Sequence, residues 1–215
     1  MTAAQPGGPG TGGARSLEVR WIFPGQLAVA VSRWFRRFPA ETIALEDVYL
    51  LDPHLPGFSV KVREGRALEI KLYHGSPGVL EVTGCARGRL ETWQKWSVPH
   101  GQHSQRGDDR ASWRPVRKRR RISWFSRASR PAGTGDTGRG AGPGCAVELT
   151  EVHTGDEAWW TLGFEAIGPA SLRRSELEAA AAQVFAQALP NGVELGLEDS
   201  RSYAQWLRWR PGTRG

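Results

Sequence analysis

Three short segments of the chain alternate apolar with charged residues in the two-residue period of a β-strand. They are residues 17–21 (LEVRW), 60–63 (VKVR) and 68–72 (LEIKL). In each segment the charged side chains fall on one face of the strand and the apolar side chains on the other. The pattern therefore predicts a sheet with one apolar face and one face that carries charges of both signs.

The rest of the hydrophobic pattern predicts further strands, joined by hairpins, and two amphipathic helices. Strands are expected at about 17–23, 41–51, 58–63, 67–73, 78–83, 88–97, 114–125, 144–153 and 157–167. Helices are expected at about 26–37 and 172–188, with a short element at 201–208. This order indicates a β-dominated α+β fold, in which an antiparallel barrel or strongly curved sheet carries the helices on its outside.

The 215 residues are enough for one domain, which we expect to span residues 16–209. Residues 1–15 form a Gly/Pro-rich tail and are expected to be disordered, as are two loops at about 98–112 and 126–143. The N-terminal residues contain no apolar signal core, and no apolar run approaches the roughly 18–20 residues of a membrane span. A cytoplasmic protein is therefore expected. Nothing in the pattern indicates an oligomeric state.

The net charge of +7 comes from one segment. Residues 106–130 contain ten Lys and Arg and two Asp, which leaves 19 basic and 20 acidic residues in the rest of the chain. The high isoelectric point therefore does not by itself indicate a nucleic-acid-binding protein. However, the Arg-rich segment 114–130 follows Trp113 and contains Trp124 and Phe125. Basic residues with interleaved aromatic side chains are typical of nucleic-acid contacts, so this function stays open as an alternative.

Charged residues recur on the polar faces of the predicted strands. They are Glu18, Arg20, Lys61, Arg63, Glu69, Lys71, Glu91, the run 117–121, Glu148 and Glu165. If the barrel closes, these side chains point inward, where burial is unfavourable unless each charge is paired. Two explanations follow. Either the glutamates and basic residues neutralise one another, or the basic residues bind phosphate oxygens while the glutamates bind hard divalent cations.

An ordered set of segments resembles the CYTH, or triphosphate tunnel metalloenzyme, superfamily. The segments are 16–20 (SLEVR), 61–63 (KVR), 69–71 (EIK), 116–124 (VRKRRRISW), 147–152 (VELTEV), 159–168 (WWTLGFEAIG) and 202–207 (SYAQWL). The first is similar to the ExExK opening strand of that family, with Ser16 in place of the first Glu. The last is similar to the SYxxLL ending common in the family. The resemblance covers residues 16–207 in the family's order of elements.

The resemblance implies an antiparallel eight-stranded tunnel with flanking helices. It further implies metal-dependent binding and hydrolysis of a triphosphate-type compound, either inorganic tripolyphosphate or an organic triphosphate, by a triphosphatase that uses Mg²⁺ or Mn²⁺. Glu18 and Glu69 would be catalytic. The phosphate-binding residues would be Arg20, Lys61, Arg63, Lys71, Lys118, Arg119 and Arg120, and the metal ligands Glu18, Glu69, Glu148 and Glu165. The sequence leaves open which residues of the run 117–121 point inward.

Two departures from the family pattern bear on activity. Ser16 replaces one expected carboxylate, and Gly163 stands where a second glutamate of a paired E-x-E would precede Glu165. Fewer carboxylates weaken metal binding. A second interpretation is therefore a non-catalytic phosphate-binding or polyphosphate-binding protein on the same fold, and the third is nucleic-acid binding through the segment 114–130.

Overall fold

The computed structural model describes residues 13–99, 113–127 and 142–209 of the chain. Most of the predicted tail and of the two predicted loops lies outside the described residues. At their borders, Ala14 and Arg15 already belong to the first strand, and Val98 and Pro99 end another strand. No helix among the described residues is long and apolar enough to cross a membrane.

Ten strands and three helices follow one another along the described chain. The strands are β1 (Ala14–Pro24), β2 (Glu41–Leu50), β3 (Phe58–Arg63), β4 (Ala67–Gly75), β5 (Val79–Val82), β6 (Ala86–Arg89), β7 (Glu91–Pro99), β8 (Trp113–Phe125), β9 (Gly144–Thr154) and β10 (Glu157–Ile167). The helices are α1 (Val29–Phe35), α2 (Ala170–Phe185) and α3 (Tyr203–Arg208). Helices α1 and α2 were predicted, with ends displaced by two to three residues.

The prediction of a single strand at 88–97 is wrong, because this segment belongs to two sheets. Leu90 interrupts it: its side chain is fully buried, and its N–H donates to the carbonyl of Gly78 (3.0 Å). Strand β6, before Leu90, pairs with β5 in a separate two-stranded sheet, whereas β7, after it, joins the main sheet.

Eight strands close into a barrel in the order β1-β10-β9-β8-β2-β3-β4-β7, with β7 pairing back onto β1. Every neighbouring pair is antiparallel. The predicted fold class, a β-dominated antiparallel eight-stranded barrel with flanking helices, is confirmed by this pairing. Because successive side chains of a strand point to opposite faces of the sheet, and the two faces of a closed barrel are its inside and its outside, the side chains of each strand alternate between the two.

The main apolar core lies outside the barrel, between the sheet and the helices. The strands β1, β9 and β10 turn their apolar face toward α1 and α2; the buried residues are Leu17, Val19, Trp21, Val147, Leu149, Leu162 and Phe164 from the strands and Trp34, Phe35, Leu177, Val184 and Phe185 from the helices. Trp21 forms edge-to-face contacts with Phe164 and Phe185, at ring distances of 6.3 and 6.5 Å. Because the apolar faces of these strands point outward, their charged faces line the interior of the barrel.

A smaller apolar cluster fills one end of the barrel. Helix α3 packs Trp206 and Leu207 there; the strand residues around them are Ile22, Tyr49, Val116, Val152 and Trp159. The helix begins with a capping box: the Ser202 hydroxyl accepts from the Gln205 N–H (3.3 Å), and the Gln205 side chain accepts from the Ser202 N–H (3.0 Å). The polar part of the interior therefore begins next to α3.

Candidate functional site

The barrel encloses a cavity with a strongly charged wall. Its basic lining residues are Arg20, Lys61, Arg63, Lys71, Lys95, Lys118 and Arg120, and its acidic lining residues are Glu18, Glu69, Glu91, Glu148 and Glu165. Tyr49, Trp93 and Tyr203 supply aromatic surface to the same wall. Buried charges are stable only when they are paired, and the ion pairs divide this wall into three groups.

The first group surrounds Asp47 on β2, whose side chain is fully buried. Its Oδ2 accepts from the Nζ atoms of Lys61 (2.9 Å) and Lys118 (2.8 Å), and its Oδ1 accepts from Nε of Arg63 (3.1 Å). Glu69 on β4 adds a second carboxylate, 3.2 Å from Lys61 Nζ and 2.9 Å from Arg63 Nη1. Two carboxylates thus hold three cations on neighbouring strands.

In this group, burial and charge pairing shift the pKa values of the side chains in opposite directions. Burial alone would raise the pKa of Asp47, but Lys118, Lys61 and Arg63 hold it well below its usual range. Burial and the nearby Lys118 together lower the pKa of Lys61 to about 7, against the opposing effect of Asp47. Burial also lowers the pKa of Lys118 to about 8, again against Asp47. The two lysines therefore change charge near neutral pH.

The second group joins Arg20 and Arg120 through Glu148. Nη2 of Arg20 donates to one oxygen of Glu148 (3.2 Å), and Nη2 of Arg120 donates to the other. Arg20 also donates from Nη1 to the hydroxyl of Thr161 (3.0 Å). Burial would raise the pKa of Glu148, but Arg120 and Arg20 keep it well below its usual range. Both arginines are thereby fixed with their guanidinium groups in the cavity.

The third group is a row of three glutamates on three adjacent strands. Glu18 on β1 lies opposite Glu91 on β7 and opposite Glu165 on β10. The Nζ atom of Lys71 lies 2.7 Å from Glu18 Oε1 and 3.6 Å from Glu165 Oε1. Ser16 donates its hydroxyl hydrogen to Glu18 (2.6 Å). Directly opposed positions bring side chains of like charge together, so this row needs cations to be stable.

Glu91 differs from the other glutamates of this row. It is buried, its Oε2 accepts from the indole N–H of Trp93 (2.9 Å), and its Oε1 has no hydrogen-bond partner among the described residues. Burial, together with the charge of Glu18, raises the pKa of Glu91 to about 7, in spite of the hydrogen bond from Trp93. Glu91 can therefore take up and release a proton near neutral pH.

Two tyrosines cover the basic side chains near α3. The Nζ atom of Lys118 donates to the hydroxyl of Tyr49 (2.6 Å) and lies 4.0 Å from the ring centre of Tyr203. Cζ of Arg20 lies 4.6 Å from the same ring centre. Tyr203, the first residue of α3, therefore shields two cations by cation–π contacts.

The structure brings ten of the eleven sequence-predicted site residues together. The ten that line the cavity are Glu18, Arg20, Lys61, Arg63, Glu69, Lys71, Lys118, Arg120, Glu148 and Glu165. Arg119 does not: its side chain lies on the outer face, is 68% exposed and approaches Glu151 at 3.8 Å. Alternation along β8 explains this, because Lys118 and Arg120 point inward and the residue between them must point outward. The roles of these residues in phosphate binding, metal binding and catalysis stay predictions.

Sequence reasoning assigned no role to five residues of this site. Asp47, Tyr49, Lys95 and Tyr203 were not among the candidates, and Glu91 was placed on a polar face without a function. A signal existed for Glu91, since the sequence places it on the polar face of its strand; the register of the barrel then puts it opposite Glu18. No comparable signal existed for Asp47, whose strand shows little contrast between its two faces.

The Arg-rich segment has two faces with different surroundings. Lys118 and Arg120 line the cavity, whereas Arg117 and Arg119 are exposed on the outer face. Arg121 donates to the carbonyl of Ser32 in α1 (3.1 Å). Part of the segment proposed for nucleic-acid contacts, residues 128–130, lies outside the described residues.

No three His, Cys, Asp or Glu side chains within 13–99, 113–127 and 142–209 are gathered closely enough to hold a metal ion. Both oxygens of Glu69 and both oxygens of Glu148 bond to basic side chains. In the glutamate row, by contrast, Oε1 of Glu91 has no hydrogen-bond partner among the described residues. Carboxylate oxygens are the donors that Mg²⁺ and Mn²⁺ prefer, so Glu91, Glu18 and Glu165 fit such an ion by donor type.

No protein-family model and no curated protein sequence matches the chain. Among solved structures, a conserved hypothetical protein from Pyrococcus furiosus is similar, with 14% identity and a TM-score of 0.44 over 87% of this chain and 98% of that one. The RNA triphosphatase domain of a trifunctional mimivirus mRNA capping enzyme has 12% identity and a TM-score of 0.46, over 82% and 89% of the two chains.

A putative adenylyl cyclase from Hippeastrum, described as having a dominant triphosphatase activity, is 9% identical with a TM-score of 0.42, over 82% of this chain and 91% of that one. The fold of this protein is defined by its own strand pairing. That pairing forms the eight-stranded antiparallel tunnel expected from the resemblance to the CYTH superfamily.

Proposed function

We propose that the protein binds a triphosphate-type anion in the barrel cavity and hydrolyses it with the help of a divalent cation. One observation carries this proposal: seven basic side chains from five strands, β1, β3, β4, β7 and β8, converge on one enclosed cavity. Basic groups that surround a ligand on several sides suit an anion with oxygens along its whole length, such as a chain of phosphates.

The charge balance of the cavity supports a role for a divalent cation. The seven basic lining residues are nearly matched by the five acidic lining residues and the buried Asp47. A chain of three phosphates carries several negative charges, which the small positive surplus would not neutralise in a poorly hydrated cavity. A bound Mg²⁺ or Mn²⁺ ion would supply the missing positive charge and would also orient or activate the attacking water.

For the metal we propose the glutamate row, Glu91, Glu18 and Glu165, whose carboxylates would have to move closer together to share one ion. Glu91 has an oxygen without a hydrogen-bond partner among the described residues, and the row as a whole has an excess of negative charge. Glu69 and Glu148 bond through both oxygens to basic residues. We propose that these two mainly position cations, although both were predicted from the sequence as metal ligands.

The phosphate oxygens would be bound by Arg20, Lys61, Arg63, Lys71, Lys118 and Arg120. Each of these side chains is held by a carboxylate, so the cations are in place before the anion enters and little side-chain entropy is lost on binding. No protein nucleophile is needed in this scheme.

The first experiment measures phosphate release from tripolyphosphate, ATP and thiamine triphosphate with Mg²⁺, Mn²⁺ or EDTA. Strand β8 offers a matched pair of variants, each of which removes two positive charges. The inward variant is Lys118→Gln/Arg120→Gln, and the outward variant is Arg117→Gln/Arg119→Gln. We expect metal-dependent release that the inward variant loses and the outward variant keeps. Equal activity of the two variants would contradict the proposal. The outward variant also tests the sequence-based prediction that Arg119 binds phosphate.

The same variants separate the two alternatives. A non-catalytic phosphate-binding protein, which Ser16 and Gly163 favour by lacking carboxylates, would release no phosphate. It would still be stabilised against heat by tripolyphosphate, and the inward variant would lose that stabilisation. A nucleic-acid-binding protein would bind a single-stranded oligonucleotide in a way that depends on Arg117 and Arg119 and not on Lys118 and Arg120.

A further inference from the structure

Asp47 has a position that the proposed function does not explain. It is a fully buried carboxylate that bonds to three basic residues, Lys61, Arg63 and Lys118. All three basic residues line the cavity, but Asp47 does not, so it lies behind them as seen from the cavity. A carboxylate in that position does not contact an anion in the cavity. It acts only through the cations that it holds.

The strand order explains how one side chain reaches all three. Asp47 lies on β2, between β3, which carries Lys61 and Arg63, and β8, which carries Lys118. A single oxygen, Oδ2, accepts from both lysines, while Oδ1 accepts from Arg63. Two ammonium groups that share one oxygen repel each other strongly in a buried site. Their approach therefore depends on the negative charge of Asp47.

We infer that Asp47 is a positioning residue that holds Lys61, Arg63 and Lys118 in the arrangement that binds the phosphate chain. The inference rests on the proposed function, since it assigns a role within the same cavity. Lysine side chains have high rotamer entropy, and fixing them before the ligand arrives removes that loss from the binding free energy. Removal of Asp47 should therefore affect affinity for the anion more than the rate of turnover.

Asp47 also affects the charge of Lys118. The charged or titratable groups that face or act on Lys118 are Asp47 and Tyr49 from β2, Lys61 from β3, Arg20 from β1, Arg120 from β8 and Tyr203 from α3. Of these, Asp47 is the carboxylate in contact with the ammonium group, and it opposes the lowering of the pKa by burial. Without this carboxylate the pKa of Lys118 should fall below its present value of about 8.

The test compares the wild type with Asp47→Asn, which keeps the size of the side chain, and Asp47→Glu, which keeps the charge. We expect Asp47→Asn to weaken tripolyphosphate binding by about tenfold or more, as for loss of a charged hydrogen-bond partner. We expect kcat to change much less than KM, and Asp47→Glu to recover part of the affinity. Glu178→Gln, at the exposed pair with Arg174 on α2, is the matched control and should bind like the wild type.

A second readout needs no ligand. The pKa of Lys118, followed by the NMR shifts of its side-chain carbon and nitrogen atoms, should be lower in Asp47→Asn than in the wild type. If the wild type shows no affinity for tripolyphosphate but the pKa of Lys118 falls in Asp47→Asn, the proposed function fails while the electrostatic role of Asp47 stands. If the wild type binds and Asp47→Asn binds equally well, the positioning role is overturned and the proposed function is not.

Asp47→Asn leaves three cations with one carboxylate and can fail to fold. The double variant Asp47→Asn/Lys118→Gln removes both members of a pair and is the safer protein. If Asp47 acts partly through Lys118, the loss of affinity in the double variant is smaller than the product of the losses in Lys118→Gln and Asp47→Asn. Where Asp47→Asn does not fold, the same comparison is made with Asp47→Glu, Lys118→Gln and the double variant Asp47→Glu/Lys118→Gln. Losses that multiply fully would show that the two residues act independently, which would overturn the inference.

Discussion

The guanidinium group of Arg20 lies against the backbone of Gly163 on the neighbouring strand. The two residues are direct partners in the pairing of β1 with β10. A Cβ atom at position 163 would stand 2.7 Å from Cζ of Arg20 and 2.8 Å from each Nη atom, closer than real contacts allow. The missing side chain of Gly163 is therefore the space that Arg20 occupies, and it lets Arg20 reach both Glu148 and Thr161.

This relationship predicts the effect of Gly163→Ala. The backbone of Gly163 has no positive φ, so alanine causes no backbone strain, but its methyl group must displace the guanidinium of Arg20. We expect the unfolding temperature to change little, because the end of a long side chain can move. Affinity for tripolyphosphate should fall by about tenfold, as for loss of a charged hydrogen bond. Thermal unfolding and titration calorimetry measure the two effects.

The control for this prediction is a second substitution at the same contact. Arg20→Lys shortens the group that occupies the space over Gly163 while it keeps the charge. We expect Gly163→Ala to have a smaller effect on affinity in the Arg20→Lys background than in the wild type. Equal effects in the two backgrounds would mean that alanine acts through something other than Arg20.

Much of the fold could be predicted because its strands have strong contrast between their faces. In 60–63 and 68–72 the alternation is complete, and the turn between them, Glu64-Gly65, is marked by glycine. Both turn residues have positive φ, 50° for Glu64 and 66° for Gly65, as a tight hairpin requires. The inward positions of Lys61, Arg63, Glu69 and Lys71 follow directly from that pattern.

The remaining parts lack such contrast. In the run 117–121 all five residues are basic, so the period of two is present in the backbone but invisible in the residue types. Asp47 is preceded by Glu46, and either could have been the inward carboxylate. The direction in which Asp47 points depends on the pairing of β2 with β8 and β3, which is a property of the closed barrel and not of the local sequence.

The raised pKa of Glu91 predicts how stability depends on pH. The folded protein keeps the proton up to a pKa of about 7, whereas the unfolded chain releases it near the ordinary value of 4.5. Between these values the folded state binds more protons, so the contribution of Glu91 is fully present below 4.5 and is lost as the pH rises toward 7. Unfolding temperatures measured from pH 4.5 to pH 7.5 should show a downward component that Glu91→Gln removes.

Other groups also titrate in this range, and the comparison with Glu91→Gln isolates the contribution of Glu91. The variant keeps the shape of the side chain and can still accept from Trp93. We expect the variant to gain stability relative to the wild type as the pH rises through the window. A difference between the two proteins that does not change with pH would mean that Glu91 titrates normally.

Ser16→Glu would add a carboxylate beside the glutamate row. Ser16 is buried, and its hydroxyl now donates to Glu18 at 2.6 Å, so the substitution replaces a donor by a fourth negative charge. Without metal we expect the variant to unfold at a lower temperature than the wild type. With Mg²⁺ or Mn²⁺ we expect a larger stabilisation than in the wild type, because the added carboxylate strengthens metal binding. Ser16→Gln, which adds a similar volume without charge, is the control.

The metal titration decides the outcome for Ser16→Glu. Unfolding temperatures of the wild type, Ser16→Glu and Ser16→Gln are measured over a range of Mg²⁺ and Mn²⁺ concentrations, with Ca²⁺ for comparison. If Ser16→Glu responds to the ions no more than Ser16→Gln, the glutamate row is not the metal site, and the alignment of residues 16–20 with ExExK is wrong.

The ring of Tyr203 is predicted to help hold Arg20 and Lys118 in place, and its hydroxyl is predicted to matter less. Tyr203→Phe keeps both cation–π contacts and loses the hydrogen bond to Thr161 (3.2 Å), whereas Tyr203→Leu loses the contacts as well. We expect Tyr203→Phe to bind tripolyphosphate within about twofold of the wild type. Tyr203→Leu should bind at least several-fold more weakly, since a cation–π contact contributes about 0.5–1 kcal/mol at exposed sites and about 2 kcal/mol or more when desolvated.

The capping box of α3 separates this local effect from loss of the whole helix. Ser202→Ala removes the N-cap hydrogen bond and should lower the free energy of unfolding by about 1 kcal/mol, while the ring of Tyr203 stays in place in the folded protein. If Ser202→Ala weakens tripolyphosphate binding as much as Tyr203→Leu does, the helix as a unit controls the cavity. If only Tyr203→Leu weakens it, the contacts of the aromatic ring with Arg20 and Lys118 are responsible.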